Sequence, residues 1–157
     1  MITLIDQALL DAVCAEAAAS PRRRKNRNLH PDDDHPAHRL LNAMQPDSYI
    51  PPHRHLDPNK DETFVVLRGL LGLVLFDDAG GIVRSVKVGA EGSALGIDIP
   101  HGTWHTAVAL EADTVFLEAK AGPYLPFTAA ERAPWAPAEN TSEAAAYVVA
   151  LKARVTG

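Results

Sequence analysis

Two histidines, His53 and His55, stand one residue apart. Glu62 follows them, and a third histidine, His105, lies far along the chain behind Pro100 and Gly102. Imidazole nitrogens and a carboxylate oxygen are the donors that hold a divalent transition metal. On a strand, alternate side chains share a face, so His53 and His55 point the same way. Leu56 to Asp61 reads as a loop, which leaves Glu62 to open the next strand with the parity of Phe64 and Val66. A carboxylate on a core-facing parity is costly unless it is paired or bound to metal. His105 enters a strand after the Pro100–Gly102 turn. It shares a face with Ala107 and Ala109, small residues that leave space beside it. His53, His55, Glu62 and His105 are the predicted ligands of one metal ion.

Other residues could act beside that ion. Glu118 and Lys120 share a strand face with Thr114 and Phe116, placing an acid and a base where proton transfer needs them. The alternative is a structural ion pair at the mouth of the fold. Tyr49 has the parity of His53 and joins Glu118 and Lys120 as a candidate catalytic group. Tyr124 follows a turn near the same end; with Arg39 and Asn42 it is a candidate for substrate contact. His101 lies on the turn before His105 and is expected outside the ligand set, as are His30, His35 and His38. Trp135, between prolines, reads as cover for the core. The basic run Arg22–Arg27 reads as a solvated loop, with a flap over an anionic ligand as the sharper alternative; Asp32–Asp34 could neutralise it.

The elements that must position these groups are short. β-prone runs at 38–45, 49–51, 63–67, 70–76, 82–88, 94–99, 103–110 and 114–119 alternate with turn signals such as Asp77–Gly81. Closely spaced strands with no helices between them predict an antiparallel sandwich or barrel. A helix is expected from a Thr3 cap through Ile5, Leu9, Val13 and Ala17 to a stop at Ser20-Pro21, and a second from Ser142 to Arg154. We expect a single domain over 1–157: an N-terminal helix and basic loop (1–37), a barrel core (38–122) and a C-terminal strap and helix (123–157). With 157 residues and a net charge of −5, the chain has room for one core and no global preference for nucleic acid. Cys14 is the one cysteine, so no internal disulfide is possible. Neither a signal-peptide layout nor a membrane-length apolar run is seen, and the cytoplasm is the expected location.

His53, His55, Glu62 and Gly69, followed by Pro100, Gly102 and His105, resemble the two signature motifs of the cupin superfamily. The gap between His55 and Glu62 is longer than usual there, and Ala109 replaces the usual asparagine. Asn28-Leu29-His30, Arg39 to Ala43, Ser48 to His55, Leu67-Arg68-Gly69, Phe76-Asp77 and Gly122-Pro123-Tyr124 together resemble the WbuC family of cupin metalloproteins. The resemblance implies an all-β fold, a single cupin (double-stranded β-helix, or jelly-roll) barrel with one bound metal, often encoded among bacterial surface-polysaccharide genes. Three imidazoles and a carboxylate suit Fe, Mn, Ni, Co or Zn. The leading expectation is an isomerase- or epimerase-type enzyme acting on a carbohydrate or polyol-like acid. An Fe(II)-dependent dioxygenase and a non-catalytic sugar-binding or sensing module are the alternatives. The expected ligand is an anionic or polyhydroxylated small molecule, and the expected assembly a homodimer.

Overall fold

The computed structural model describes residues 2–157. In it α1 (Gln7–Ala19) leads into β1 (Arg24–Asn28) and β2 (Ala37–Met44). The strands β3 (Glu62–Arg68), β4 (Leu70–Phe76), β5 (Ile82–Gly89), β6 (Gly96–Ile99), β7 (Trp104–Ala109) and β8 (Thr114–Ala121) follow. A strap with one short 3-10 turn then leads to α2 (Ser142–Thr156). The strands form two antiparallel sheets, ordered β1-β2-β8-β3-β6 and β5-β4-β7. Together they make the single cupin barrel expected, with a helix at each end of the chain.

Phe64, Leu71, Leu73, Val88, Ile99 and Phe116 form the core between the sheets. Leu41, Ala43 and Val115 point out of the barrel instead and are covered by Leu10, Val13, Cys14 and Ala17 of α1. On the other sheet, Val74, Phe76, Trp104 and Val108 are covered by Leu151 and Val155 of α2. β4 is therefore buried on both faces, which is why Leu70–Phe76 reads as a continuous apolar run rather than an alternation. Fully burying an aliphatic side chain contributes about 1.5–3 kcal/mol, so packing rather than helix propensity holds both helices. Gly69 joins β3 to β4 with φ +73°, and a Cβ there would stand 2.6 Å from Thr114 Oγ1. That turn requires glycine.

Three local expectations are corrected. Asp6, not Thr3, caps α1: its side chain accepts from Leu9 N at 3.0 Å. The run 49–51 is not a strand, because Pro51 and Pro52 cannot donate to a ladder. From Arg24 on, the basic run is not a loop: while Arg22 and Arg23 stay in the turn after α1, the rest enters β1, an edge strand paired to β2 with Arg24 opposite Met44 and Asn28 opposite Leu40. Charged edge strands resist pairing with other chains. The apolar stripe of α1, one motive for expecting a dimer, lies against its own barrel.

Candidate metal centre

The His-x-His segment is held like a short strand between β7 and the strap. His53 N donates to His105 O at 3.0 Å and His105 N donates to His53 O at 2.9 Å. Residues paired in this way project to the same face. On the other side, Arg54 N donates to Glu131 O at 3.0 Å and Ala133 N to Pro52 O at 3.1 Å. Gly102, with φ +78°, donates its N–H to His55 O at 2.6 Å. The turn before β7 thus fixes His55 as well as His105. Glu62 enters from β3, which pairs with β8 on one side and β6 on the other.

The donor atoms suit a metal. The ring nitrogens of His53 and His105 labelled Nδ1 face the carbonyls of Pro51 and Thr103, each at 2.9 Å. Donation there places the proton on Nδ1 and leaves Nε2 with a free lone pair, the usual arrangement of a ligating histidine. Candidate ligand atoms of His53, His55 and Glu62 all lie within 4.8 Å of one another. His105 Nε2 stands 2.9 Å from Glu62 Oε2. Yet both atoms are buried without a properly angled hydrogen bond. Two orphaned donor atoms at that separation match neighbouring ligands on an ion with bonds of about 2.1 Å. The other carboxylate oxygen, Oε1, is 2.9 Å from His55 Nε2 and 2.9 Å from Lys120 Nζ. Burial, reinforced by His105, lowers the His53 pKa to about 3, so its ring is neutral and available. Burial opposes ionisation of Glu62, but His105, His55 and Lys120 outweigh it and hold the carboxyl well below its usual range.

Beside this cluster the barrel opens into a cavity of about 800 Å³. Lys120 Nζ bridges from Glu62 to Glu118, 2.7 Å from Oε1, and Asn42 Nδ2 donates to Glu118 Oε2 at 2.7 Å. Burial raises the Glu118 pKa; Lys120 offsets part of this and Glu62 adds to it. The Lys120 pKa is raised as well. Burial lowers its pKa, but Glu118 and Glu62 outweigh that and keep the ammonium charged. A carboxyl with a raised pKa can accept a proton, and the cation fixed beside it can balance charge.

Glu118, Lys120 and Asn42 thus face the cavity with His53, Glu62 and His105. Tyr124 sits at the cavity mouth, exposed. Tyr49 and Arg39 are not brought to it. Without a ladder at 49–51 the parity with His53 is lost, and Tyr49 turns beneath α2, donating to Pro137 O at 2.9 Å and meeting Tyr147 edge-on. Arg39 falls on the outward parity of β2 and is exposed. His101 is exposed and bonded to Asp61, and His30 and His38 stack on each other, apart from the ligand cluster. Trp135 packs on Phe76 and Trp104 as core cover. Strand alternation divides the basic run. Arg22 and Arg24 line the cavity and pair with Glu139, while Lys25 and Arg27 turn to Glu16 of α1. Two strap residues were not singled out in the sequence. Phe127 lies 4.6 Å from the His53 ring and 5.2 Å from His55, and Arg132, paired to His53 through the backbone, lines the mouth. Their only sequence signal was their place in the Pro-rich strap.

Residues 5–88 match the model of a family described as a domain of unknown function (DUF6016). No curated protein matches the chain. Among solved structures, KdgF from Halomonas sp. is 19% identical over 66% of this chain and 82% of that one, with a TM-score of 0.51. A conserved protein of unknown function from Streptococcus pyogenes is 17% identical over 80% and 91%, with a TM-score of 0.52. A cupin superfamily protein from Desulfitobacterium hafniense is 10% identical over 62% and 76%, with a TM-score of 0.48. At these identities the first two likenesses speak for the fold and not for a reaction. The WbuC likeness rests on the motifs quoted above.

Proposed function

The chain belongs to the DUF6016 family, and we propose that it is a mononuclear metal-dependent enzyme of isomerase or epimerase type acting on a carbohydrate or polyol-like acid. The observation that carries this reading is the pair of half-buried Lys120 and buried Glu118 standing directly against Glu62. A divalent metal held by His53, His55, Glu62 and His105 supplies an electrophile for ligand oxygens. Glu118 takes a proton from the carbon beside the ligand carbonyl, since burial keeps its conjugate acid within reach. Glu118 then returns the proton to carbon, while Lys120 stays protonated and balances the developing charge. Asn42 fixes the orientation of Glu118. Phe127 limits water around the histidines. A dioxygenase or a sensing module has no use for such a couple, which is why we rank them behind. The motif likeness to WbuC further suggests a role in bacterial surface-polysaccharide metabolism in the cytoplasm.

The test is incubation of protein loaded with one equivalent of Mn, Co or Zn with sugar acids and nucleotide sugars in deuterated water. Deuterium on carbon is read by mass spectrometry. We expect metal-dependent exchange in one of these ligands, slowed about 100-fold or more in Glu118→Gln. His53→Ala should bind no metal and exchange nothing. Exchange that survives without metal, or at full rate in Glu118→Gln, refutes the mechanism. Ligand-dependent oxygen consumption without exchange would favour the dioxygenase.

A further inference from the structure

The cavity reaches well beyond the metal centre, and its far wall is β1. Alternate residues Arg24, Asn26 and Asn28 line it, with His30 and His38 next to them. The register shows how far this wall stands from the ligands. Asn26 is opposite Asn42 and Asn28 opposite Leu40; these are opposite Phe116 and Glu118 of β8, which in turn are opposite Val66 and Phe64 of β3. β1 is therefore three strand spacings from the strand that carries Glu62, about 14 Å along the sheet. A ligand lying along this sheet from the metal centre to β1 is longer than one sugar ring.

The wall also has hydrogen-bonding capacity that the protein does not use. Asn42 is committed to Glu118, but the side-chain amides of Asn26 and Asn28, both exposed at the cavity wall, have no partner among the described residues. His30 is held through Nδ1 at the Arg39 carbonyl, 3.0 Å, and His38 through Nε2 at the Asp33 carbonyl, 3.1 Å. Their rings stack at 4.0 Å, and each keeps one nitrogen without a partner. Arg24 is pinned by Tyr49 O and Glu139, both at 2.8 Å, so its charge is already balanced. Amides and imidazoles that donate and accept side by side suit vicinal hydroxyls. An anion would instead call for unpaired cations.

We propose that this wall is a second subsite, which holds a neutral, hydroxyl-bearing sugar ring while the acidic end of the same ligand lies at the metal. Asn26 and Asn28 are its specificity-determining residues. The inference rests on the reading of the metal centre given above and extends the substrate class from a sugar acid to a sugar acid of at least two units. Lactobionate, a two-unit acid, and gluconate, its one-unit counterpart, are titrated calorimetrically into Co(II)-loaded protein. Two amide hydrogen bonds of ordinary strength correspond to about a tenfold preference for lactobionate. Asn26→Leu/Asn28→Leu should remove that preference while leaving gluconate affinity and cobalt content unchanged. Asn26→Ala/Asn28→Ala, the milder change on this edge strand, should do the same. Equal affinity of wild type for the two acids overturns the subsite, as does a parallel loss of both in the variants. Lactobionate binding that ignores the metal but still depends on the two asparagines would keep the subsite and refute the metal-centre reading. Absence of binding by either acid overturns both.

Discussion

Lys120→Met removes the one cation that stands between two buried carboxylates. Its Nζ is 2.9 Å from Glu62 and 2.7 Å from Glu118, which are 2% and 7% exposed. In metal-free protein the change leaves both carboxylates facing only imidazole rings and one amide. Removing one partner of a buried ion pair costs about 3–5 kcal/mol, and here a single cation serves two anions. Glu118 offers a way out, because burial already raises its pKa and the loss of Lys120 raises it further. A carboxyl whose folded-state pKa lies above its unfolded value destabilises the fold above that folded pKa. The penalty fades as pH falls through it towards the unfolded value. Urea denaturation of the metal-free variant should therefore show a loss of about 3–5 kcal/mol at pH 8 that shrinks markedly by pH 5. A divalent ion at Glu62 replaces the missing charge, so the metal-loaded variant should lose less than half as much. Lys120→Met/Glu118→Leu should recover most of the stability, since replacing a whole buried pair by apolar groups is often neutral. The reasoning is refuted if the loss is the same at both pH values, or the same with and without metal.

Two further outcomes are expected. Glu131 accepts from the backbone N–H groups of Thr128 and Leu56, and these bonds lower its pKa to about 2. Its stabilising contribution is present above the unfolded-state value and lost as pH falls towards 2. Glu131→Gln should cost about 1 kcal/mol at pH 7, as removing a cap does, and clearly less at pH 3 in urea denaturation; an equal cost at both would contradict the assignment. For the homodimer, the remaining motive is the outer face of β3, where Val65 and Leu67 are 40% and 39% exposed, with Leu95 exposed nearby at 68%. Sedimentation velocity at micromolar concentration should give twice the chain mass, and Val65→Glu/Leu67→Glu should return it to the monomer value. A wild-type monomer would rule the dimer out.

The barrel and the clustering of His53, His55 and Glu62 were legible in the sequence because their signals are local. His53 and His55 sit on one face of an extended segment whatever the fold, and Glu62 with Phe64 announces a strand whose inner side is both polar and apolar. β1 was hidden for the opposite reason. Arg24–Asn28 contains no apolar residue, because one face meets the polar cavity and the other meets Glu16 of α1. A strand with no side in the core has no hydrophobic period to read. Tyr49 was misplaced because alternation holds only inside a ladder, and Pro51-Pro52 ends the ladder before it reaches Tyr49. Phe127 and Arg132 come to the metal centre through the strap, whose pairing with Pro52 and Arg54 is a long-range event without a local signature. The long spacer between His55 and Glu62 shows how such distant contacts decide the site. Lys60 N donates to Asp57 O at 2.9 Å and Asn59 N to Asp57 Oδ1 at 2.9 Å, so the extra residues close on themselves as a turn. The Lys60 ammonium is tied to the Pro123 carbonyl. Lengthening a loop by a few residues costs little closure entropy. What must be kept is where its two ends are anchored: His55 on the Gly102 N–H, and Glu62 in register between β8 and β6. Spacing between the motifs can therefore drift while the donor atoms stay within reach of one ion.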